Sequence, residues 1–273
     1  MSPVRDPRGR VVVVTGGGSG IGRATGVAFA RRGSRVVFAD VNATRADDAA
    51  RAAIAVGAEA IGVECDVALD DDVLALRAAT DAAFGPADVV MSNVGVLSIG
   101  KPEHIPVSEW ARVVNINLMS AVRMVHTFLP GLLERGHGHV VITASTAGLA
   151  TYSDDRLPYS TTKAALVSLA EGLALSVRPR GIGVTCLCPG PVATNIVEQV
   201  TVSGDPVPIR PPALAVLTPD AVGEMVVEAV AEDRFLLLTH PEFRAELVRR
   251  AEDPEGYLAD QISRNGTEAG NLP

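Results

Sequence analysis

Aromatic side chains are scarce in this chain: Phe, Trp and Tyr make up 4% of 273 residues, with one Trp and three Tyr. A sequence rich in Ala, Val and Leu but this poor in large rings fits buried parallel strands and Ala-faced helices better than a β-sandwich core. Basic residues are outnumbered 24 to 32, a net charge of −8. The clustered Lys and Arg of a nucleic-acid footprint are therefore not expected, and the acidic balance favours solubility. The apolar run nearest the start, Val11–Val14, is too short for a signal-peptide core or a membrane span, so a cytoplasmic location and no membrane partner are expected. Without secretion, the glycosylation-type tripeptides at Asn42 and Asn265 carry no weight. Cysteine is rare too. Cys65, Cys186 and Cys188 cannot all pair with one another and lack zinc-site spacing, so they read as reduced thiols packed in a core. His137-Gly138-His139 has no carboxylate or thiolate at ligand spacing, and no metal site is expected.

What the chain has in quantity is apolar sequence, 47% against 21% charged, which excludes a disordered or collagen-like chain. At about 150 residues per domain the length suggests nearly two domains. The hydrophobic rhythm favours one. Seven short apolar runs, at 10–15, 35–40, 60–66, 88–93, 139–144, 183–188 and 235–239, alternate with helical stretches near 20–33, 43–56, 70–84, 107–135, 158–178 and 218–231. That is the βαβ pattern of a parallel sheet. Residues 1–239 are thus assigned to one α/β, doubly wound (Rossmann) domain with a seven-stranded parallel sheet flanked by helices. Two segments break the rhythm. Residues 191–217 carry Pro191, Pro206, Pro208, Pro211 and Pro212, which deny a helix, and a connection this long reads as a substrate lid. Beyond residue 239, Phe243, Leu247 and Ala251 recur at helical spacing and a further helix is expected from Pro254 to Ser263, so 240–273 reads as a C-terminal helical extension.

The first strand runs into Thr15-Gly16-Gly17-Gly18-Ser19-Gly20-Ile21-Gly22 and then a helix. Glycines at such a junction let backbone approach a pyrophosphate, whose charge the amides and helix N-terminus attract. Asp40 ends the second strand, where a carboxylate accepts hydrogen bonds from an adenosine ribose and repels a 2′-phosphate; NAD is expected over NADP. The competing role for Asp40 is a helix N-cap, which Asn42 or Thr44 fills equally well. Asp66, closing the third run, is placed to receive an adenine amino group.

Tyr159 and Lys163 stand four apart on a helical stretch and share one face. A cation one turn away favours the phenolate of a group whose reference pKa is near 10. Ser145 ends the fifth run, 14 residues earlier, where it can bond an alcohol or carbonyl oxygen.

In the order and spacing of these motifs, residues 10–239 resemble the short-chain dehydrogenase/reductase family. Thr15 to Gly22, with Gly16, Ser19, Gly20, Ile21 and Gly22, is similar to its TGxxxGIG cofactor loop. Asp66-Val67 is similar to its adenine-contacting pair, and Ser92-Asn93-Val94-Gly95 stands where the family has NNAG. Trp110 to Leu118 resembles the stretch ending in its helix-embedded asparagine, here Asn117. Ser145, Tyr159 and Lys163 match the catalytic serine and the YxxxK pair. Pro189-Gly190, with Val192 and Thr194, matches the PGxxxT nicotinamide segment. The interval from Ser145 to Tyr159 is about one residue longer than usual, with Tyr152, Asp154, Asp155 and Leu157 in it, and this segment borders the substrate in the family.

The resemblance implies hydride transfer between a secondary alcohol or ketone and NAD. Tyr159 would move the proton and Ser145 orient the substrate oxygen. Lys163 would hold the nicotinamide ribose and lower the tyrosine pKa, Asn117 tie a water to Lys163, and Thr194 with the backbone near Val192 hold the carboxamide. It also implies a homo-oligomer, dimer or tetramer, paired through helices 107–135 and 158–178. Val96, Leu97, Leu149, Tyr152, Leu157, Ile196 and Val197 lie close to the motifs and suggest a lipophilic substrate. Asp154-Asp155 with Arg156 is a candidate for a polar substrate end. Two alternatives are a non-catalytic NAD(H)-binding sensor of the same fold, against which the intact set of four argues, and a sugar-nucleotide epimerase, against which the glycine spacing argues.

Overall fold

The computed structural model describes residues 4–205 and 214–269, with 197, 198 and 265–269 described by backbone only. Nine strands occur among them: Val11–Thr15 (β1), Arg35–Asp40 (β2), Ala60–Glu64 (β3), Val89–Ser92 (β4), Ser98–Gly100 (β5), Gly138–Thr143 (β6), Ile182–Cys188 (β7), Thr201–Ser203 (β8) and Leu236–Leu238 (β9). Seven form one parallel sheet in the order β3-β2-β1-β4-β6-β7-β9. The order reverses between β1 and β4, and the crevice beyond the carboxyl ends of these strands is where open α/β sheets bind ligands.

Because side chains alternate across a strand, each strand feeds two cores. Val13, Val37, Val90, Ile142 and Val184 face one side, packing with Leu76, Met124, Phe128 and Leu166. Those side chains come from α3 (Asp70–Phe84), α5 (Ser120–Arg135) and α7 (Leu157–Val177). Val12, Val14, Phe38, Met91 and Leu187 face the other, against Phe29, Ala49, Val222 and Val226 of α1 (Gly20–Arg31), α2 (Ala43–Ala55) and α8 (Pro219–Ala231). Small side chains let the helices lie close to the sheet, which is why so few aromatic rings suffice.

Several boundaries differ from the sequence reading. β3 stops at Glu64 rather than reaching Asp66, because the Asp66 N–H turns to the Asp72 carboxylate (2.8 Å). The long helix expected over 107–135 is α4 (Val107–Val113), a π turn (Val114–Met119) and α5. By length and hydropathy this stretch is apolar enough to cross a membrane, but one side of it, including Met124, Phe128 and Leu132, is buried against the sheet. α6 (Thr146–Leu149) is a single turn.

The described part of the segment read as a lid holds more regular structure than its prolines imply. It has a 3₁₀ turn at Asn195–Gln199 and then β8, which pairs in parallel with β5. Arg112 clasps this small sheet, holding Glu109 with two bonds and Thr201 Oγ1 at 2.9 Å. At the far end Val192 bridges Leu217. Pro206, Pro208, Pro211 and Pro212 lie outside the described residues.

The C-terminal extension is α9 (Arg244–Glu252) and α10 (Pro254–Ala269). Phe243 and Tyr257 pack with Ala150, Leu149, Leu214 and Leu247, and Tyr257 Oη donates to the Thr151 carbonyl (3.2 Å). The extension thus braces the loop that follows α6.

Candidate active site

A cleft of about 500 Å³ opens at the carboxyl ends of the strands. One end is the glycine loop. Gly16 and Gly20 adopt φ of +62° and +51°, the left-handed region that glycine enters without steric cost. A Cβ on Gly22 would meet the Gly16 carbonyl oxygen at 2.3 Å and Asn93 Nδ2 at 2.7 Å, so the loop can close on itself only without side chains. Ser19 flanks α1 without a side-chain capping bond, and the first turn holds no acidic residue. The first amides of a helix have no partners within it; here they open into a cleft lined by Ser19, Gly20 and Ile21. A glycine cradle and a helix N-terminus without a side-chain cap fit the pyrophosphate of a dinucleotide.

Asp40 and Asp66 line the same end. Asp40 Oδ2 accepts from Gly18 N–H and Oδ1 from Asn42 N–H, each at 3.0 Å. Capping of α2 falls to Asn42, which accepts from Arg45 N–H, so Asp40 is not spent on that role. Val67, Asn93, Gly95, Pro189, Gly190, Val192 and Thr194 also line the cleft. Thr194 lies so close to Gly20 that a Cβ there would come within 3.1 Å of its methyl group.

Tyr159, Lys163 and Ser145 meet at the inner end. Ser145 Oγ accepts from Ala147 N–H (3.2 Å), capping α6, and hydrogen-bonds Tyr159. Lys163 is buried, donates to the Thr143 carbonyl (2.8 Å) and sits 5.7 Å from the centre of the Tyr159 ring. Burial lowers Lys163 to about 8. Tyr159 keeps part of its surface open to the cleft, yet burial pushes its phenol up to about 12; the Ser145 bond and the charge of Arg156 pull the other way, while Tyr152 and Cys188 add to the rise. This differs from the expectation that Lys163 depresses the tyrosine. In the protein by itself desolvation outweighs the nearby charge, and Arg156 supplies the positive charge acting on the phenol.

Asn117 and Gly22 do not line the cleft; they stand behind it. Asn117 accepts from Val96 N–H (2.8 Å) and donates to the Val96 carbonyl (3.0 Å) and Thr162 Oγ1 (3.2 Å). Its side chain is thereby committed to fixing the loop after β4 against α7. Among the apolar residues expected near the substrate, Val96, Leu97, Tyr152 and Ile196 line the cleft. Leu149 instead packs toward the C-terminal helices, Leu157 is not among the lining residues, and the Val197 side chain lies outside the described ones. Cys186 and Cys188 are fully buried, their sulfurs 3.7 Å apart. His139 is buried with Nε2 2.8 Å from Thr185 Oγ1, and desolvation lowers it to about 3, so it is neutral at physiological pH. The sequence reading missed Thr143, whose carbonyl anchors Lys163. Its position two residues before the strand-end serine was the available signal.

Comparison with known proteins agrees with this arrangement. A family model described as short chain dehydrogenase matches residues 10–203. The chain is 35% identical over 254 residues to the 1-deoxy-11-beta-hydroxypentalenate dehydrogenase of Streptomyces exfoliatus, covering 89% of this chain and 88% of that protein. It is 36% identical over 189 residues to the cis-4-hydroxycyclohexanecarboxylate dehydrogenase of Sinomonas cyclohexanicum, covering 69% and 75%. The probable oxidoreductase EphD of Mycobacterium tuberculosis is 32% identical over 86% of this chain, but the chain spans 42% of that protein's length. Among solved structures, a short chain dehydrogenase/reductase from Burkholderia phymatum in complex with NAD superposes with a TM-score of 0.83 at 33% identity, covering 92% of this chain and 95% of that one. With the sheet order, the glycine cradle and the Ser-Tyr-Lys cluster in place, the matched family model and these relatives lead to one conclusion: the chain belongs to the short-chain dehydrogenase family.

Proposed function

We propose that this protein is an NAD-dependent oxidoreductase that interconverts a secondary alcohol and a ketone, with Ser145, Tyr159, Lys163 and Asn117 as its working set and a substrate of largely apolar body. The observation that carries the reading is the meeting of Tyr159, Ser145 and Lys163 in a cleft continuous with the glycine loop. Nicotinamide, when bound, supplies the hydride acceptor or donor and, oxidised, a positive charge. The chain supplies position and the proton. Ser145 and Tyr159, hydrogen-bonded to each other, form a two-point grip for a carbinol or carbonyl oxygen. A phenol near 12 is protonated at neutral pH and suited to donate in the reductive direction. In the oxidative direction it needs added positive charge before it can accept the proton. Arg156 is the resident contribution to that charge, and Lys163, largely protonated below about 8, stands behind the ring as the group that would hold the nicotinamide ribose. Asn117 positions the Val96 wall beside it.

NAD is favoured over NADP because the Asp40 carboxylate faces the end of the cleft where the adenosine would lie. Val96, Leu97 and Ile196 support an apolar substrate body, as do the names of two relatives, a hydroxypentalenate and a hydroxycyclohexanecarboxylate dehydrogenase. Tyr159→Phe tests the reading. NADH binding, followed by fluorescence, should be retained while turnover of a secondary-alcohol panel, followed by NADH absorbance, falls by at least about a hundredfold. Unchanged turnover refutes it.

A further inference from the structure

Four charged side chains line the cleft among the described residues: Asp40, Asp66, Lys163 and Arg156. The two carboxylates belong to the glycine-loop end, and Lys163 donates to Thr143 beneath Tyr159. Arg156 is at the substrate end, 6% exposed, in a wall shared with Tyr152, Val96, Leu97 and Ile196. It is held there deliberately. Asp155, itself 3% exposed, accepts from Arg156 Nε at 2.6 Å and Nη2 at 3.1 Å. Tyr152 hydrogen-bonds the guanidinium and lays its ring 5.5 Å from Cζ. The main chain is pinned on both sides, with Gly100 N–H on the Asp155 carbonyl (2.8 Å) and Ser160 N–H on the Arg156 carbonyl (3.0 Å).

A buried ion pair is weak evidence for stability, since apolar residues of like volume usually serve a core as well. Here the arginine of the pair stands in the wall of the cleft, among Val96, Leu97 and Ile196 and with no other charged side chain lining that end among the described residues, where a ligand can meet it. A guanidinium is a planar fork of five N–H donors, matched to carboxylate geometry. Asp155 fixes the fork in one orientation, which reduces the ordering cost when a second anion arrives.

We propose that Arg156 receives a carboxylate on the substrate, remote from the reacting carbinol, so that the protein acts on hydroxy and oxo acids with an apolar body. The inference rests on the oxidoreductase reading above and narrows its substrate class. It is tested on the full chain by measuring kcat/KM, through NADH absorbance, for a series of ring hydroxy acids such as 4-hydroxycyclohexanecarboxylate, each paired with its methyl ester. The acids should exceed their esters by about ten- to a hundredfold, the value of a charge-assisted bond. In the double variant Asp155→Asn/Arg156→Gln, which removes both charges together, the ratio should fall to near one. Thermal unfolding and NADH binding check that it folds. Should it not fold, Arg156→Lys carries the test, with an intermediate ratio expected because the charge survives without the fork. Esters turned over as well as acids by the parent protein, or an acid-to-ester ratio unmoved in the variants, overturns the inference. So does a shift of the alkaline pH limb common to acids and esters with the ratio unmoved, which assigns Arg156 to Tyr159 instead. Turnover of other secondary alcohols but of none of these acids overturns the inference alone, whereas absence of turnover across the whole secondary-alcohol panel refutes the oxidoreductase reading itself.

Discussion

Replacing Lys163 by Met isolates the energetics of a buried ammonium. In the folded chain Lys163 titrates near 8, against 10.5 for an unburied lysine. Between those values the unfolded chain binds a proton that the folded chain does not, so stability rises with pH through the window. A shift of 2.5 in pKa at about 1.4 kcal/mol each is worth about 3 kcal/mol. Urea unfolding of both proteins without nucleotide, at several pH values from 7 to 10.5, reads this directly. The parent should gain about 3 kcal/mol relative to Lys163→Met across the series. Taking the difference removes the contributions of Cys65 and Tyr159, whose raised pKa values pull stability down above pH 9 to 10 in both proteins. At pH 7 the variant trades relief of the buried charge against a Thr143 carbonyl that loses its donor, a cost of about 1–3 kcal/mol. A difference between the two proteins that stays flat with pH would refute the claim that burial has moved Lys163.

Three further outcomes are expected. Asp40→Asn should raise NADP affinity by at least about tenfold in calorimetry while leaving Gly18 an acceptor oxygen, and comparable NAD and NADP affinities in the parent would refute the assigned preference. Gly22→Ala forces a methyl group against the Gly16 carbonyl and Asn93; it should cost about 1–3 kcal/mol in urea and weaken NADH binding, whereas unchanged binding would show that the loop is not the cradle. Asn117→Ala strips the Val96 N–H of its acceptor and should cost about 1–3 kcal/mol, while a stability equal to the parent's would restrict Asn117 to a role in proton transfer.

Much of the site was legible because its pieces are local strings. The glycine loop is eight consecutive residues at a strand–helix junction, and Tyr159 and Lys163 are one helical turn apart. Lys163 is also one of two lysines in a chain otherwise basic through arginine. The clasp of Arg112 on Glu109 and Thr201, the pairing of β5 with β8, and the bracing of the 149–151 loop by Tyr257 had no such signal. Arg112 to Thr201, β5 to β8 and Thr151 to Tyr257 join residues 89 to 106 apart, and strands of three residues have too few positions to show a period. The π turn around Asn117 was hidden as well, since adding one residue to a turn leaves the hydrophobic pattern of a long helix nearly intact.

By itself the sequence determined the alternation of strand and helix, the two-faced sheet and the location of the cradle, because side-chain periods of 2 and 3.6 and glycine's freedom are properties of neighbouring residues. Tertiary structure decided what the ionisable groups do. Burial sums over every segment packed around a side chain, so it was the assembled fold that raised Tyr159, lowered Lys163 and set Arg156 with Asp155 into the wall of the cleft.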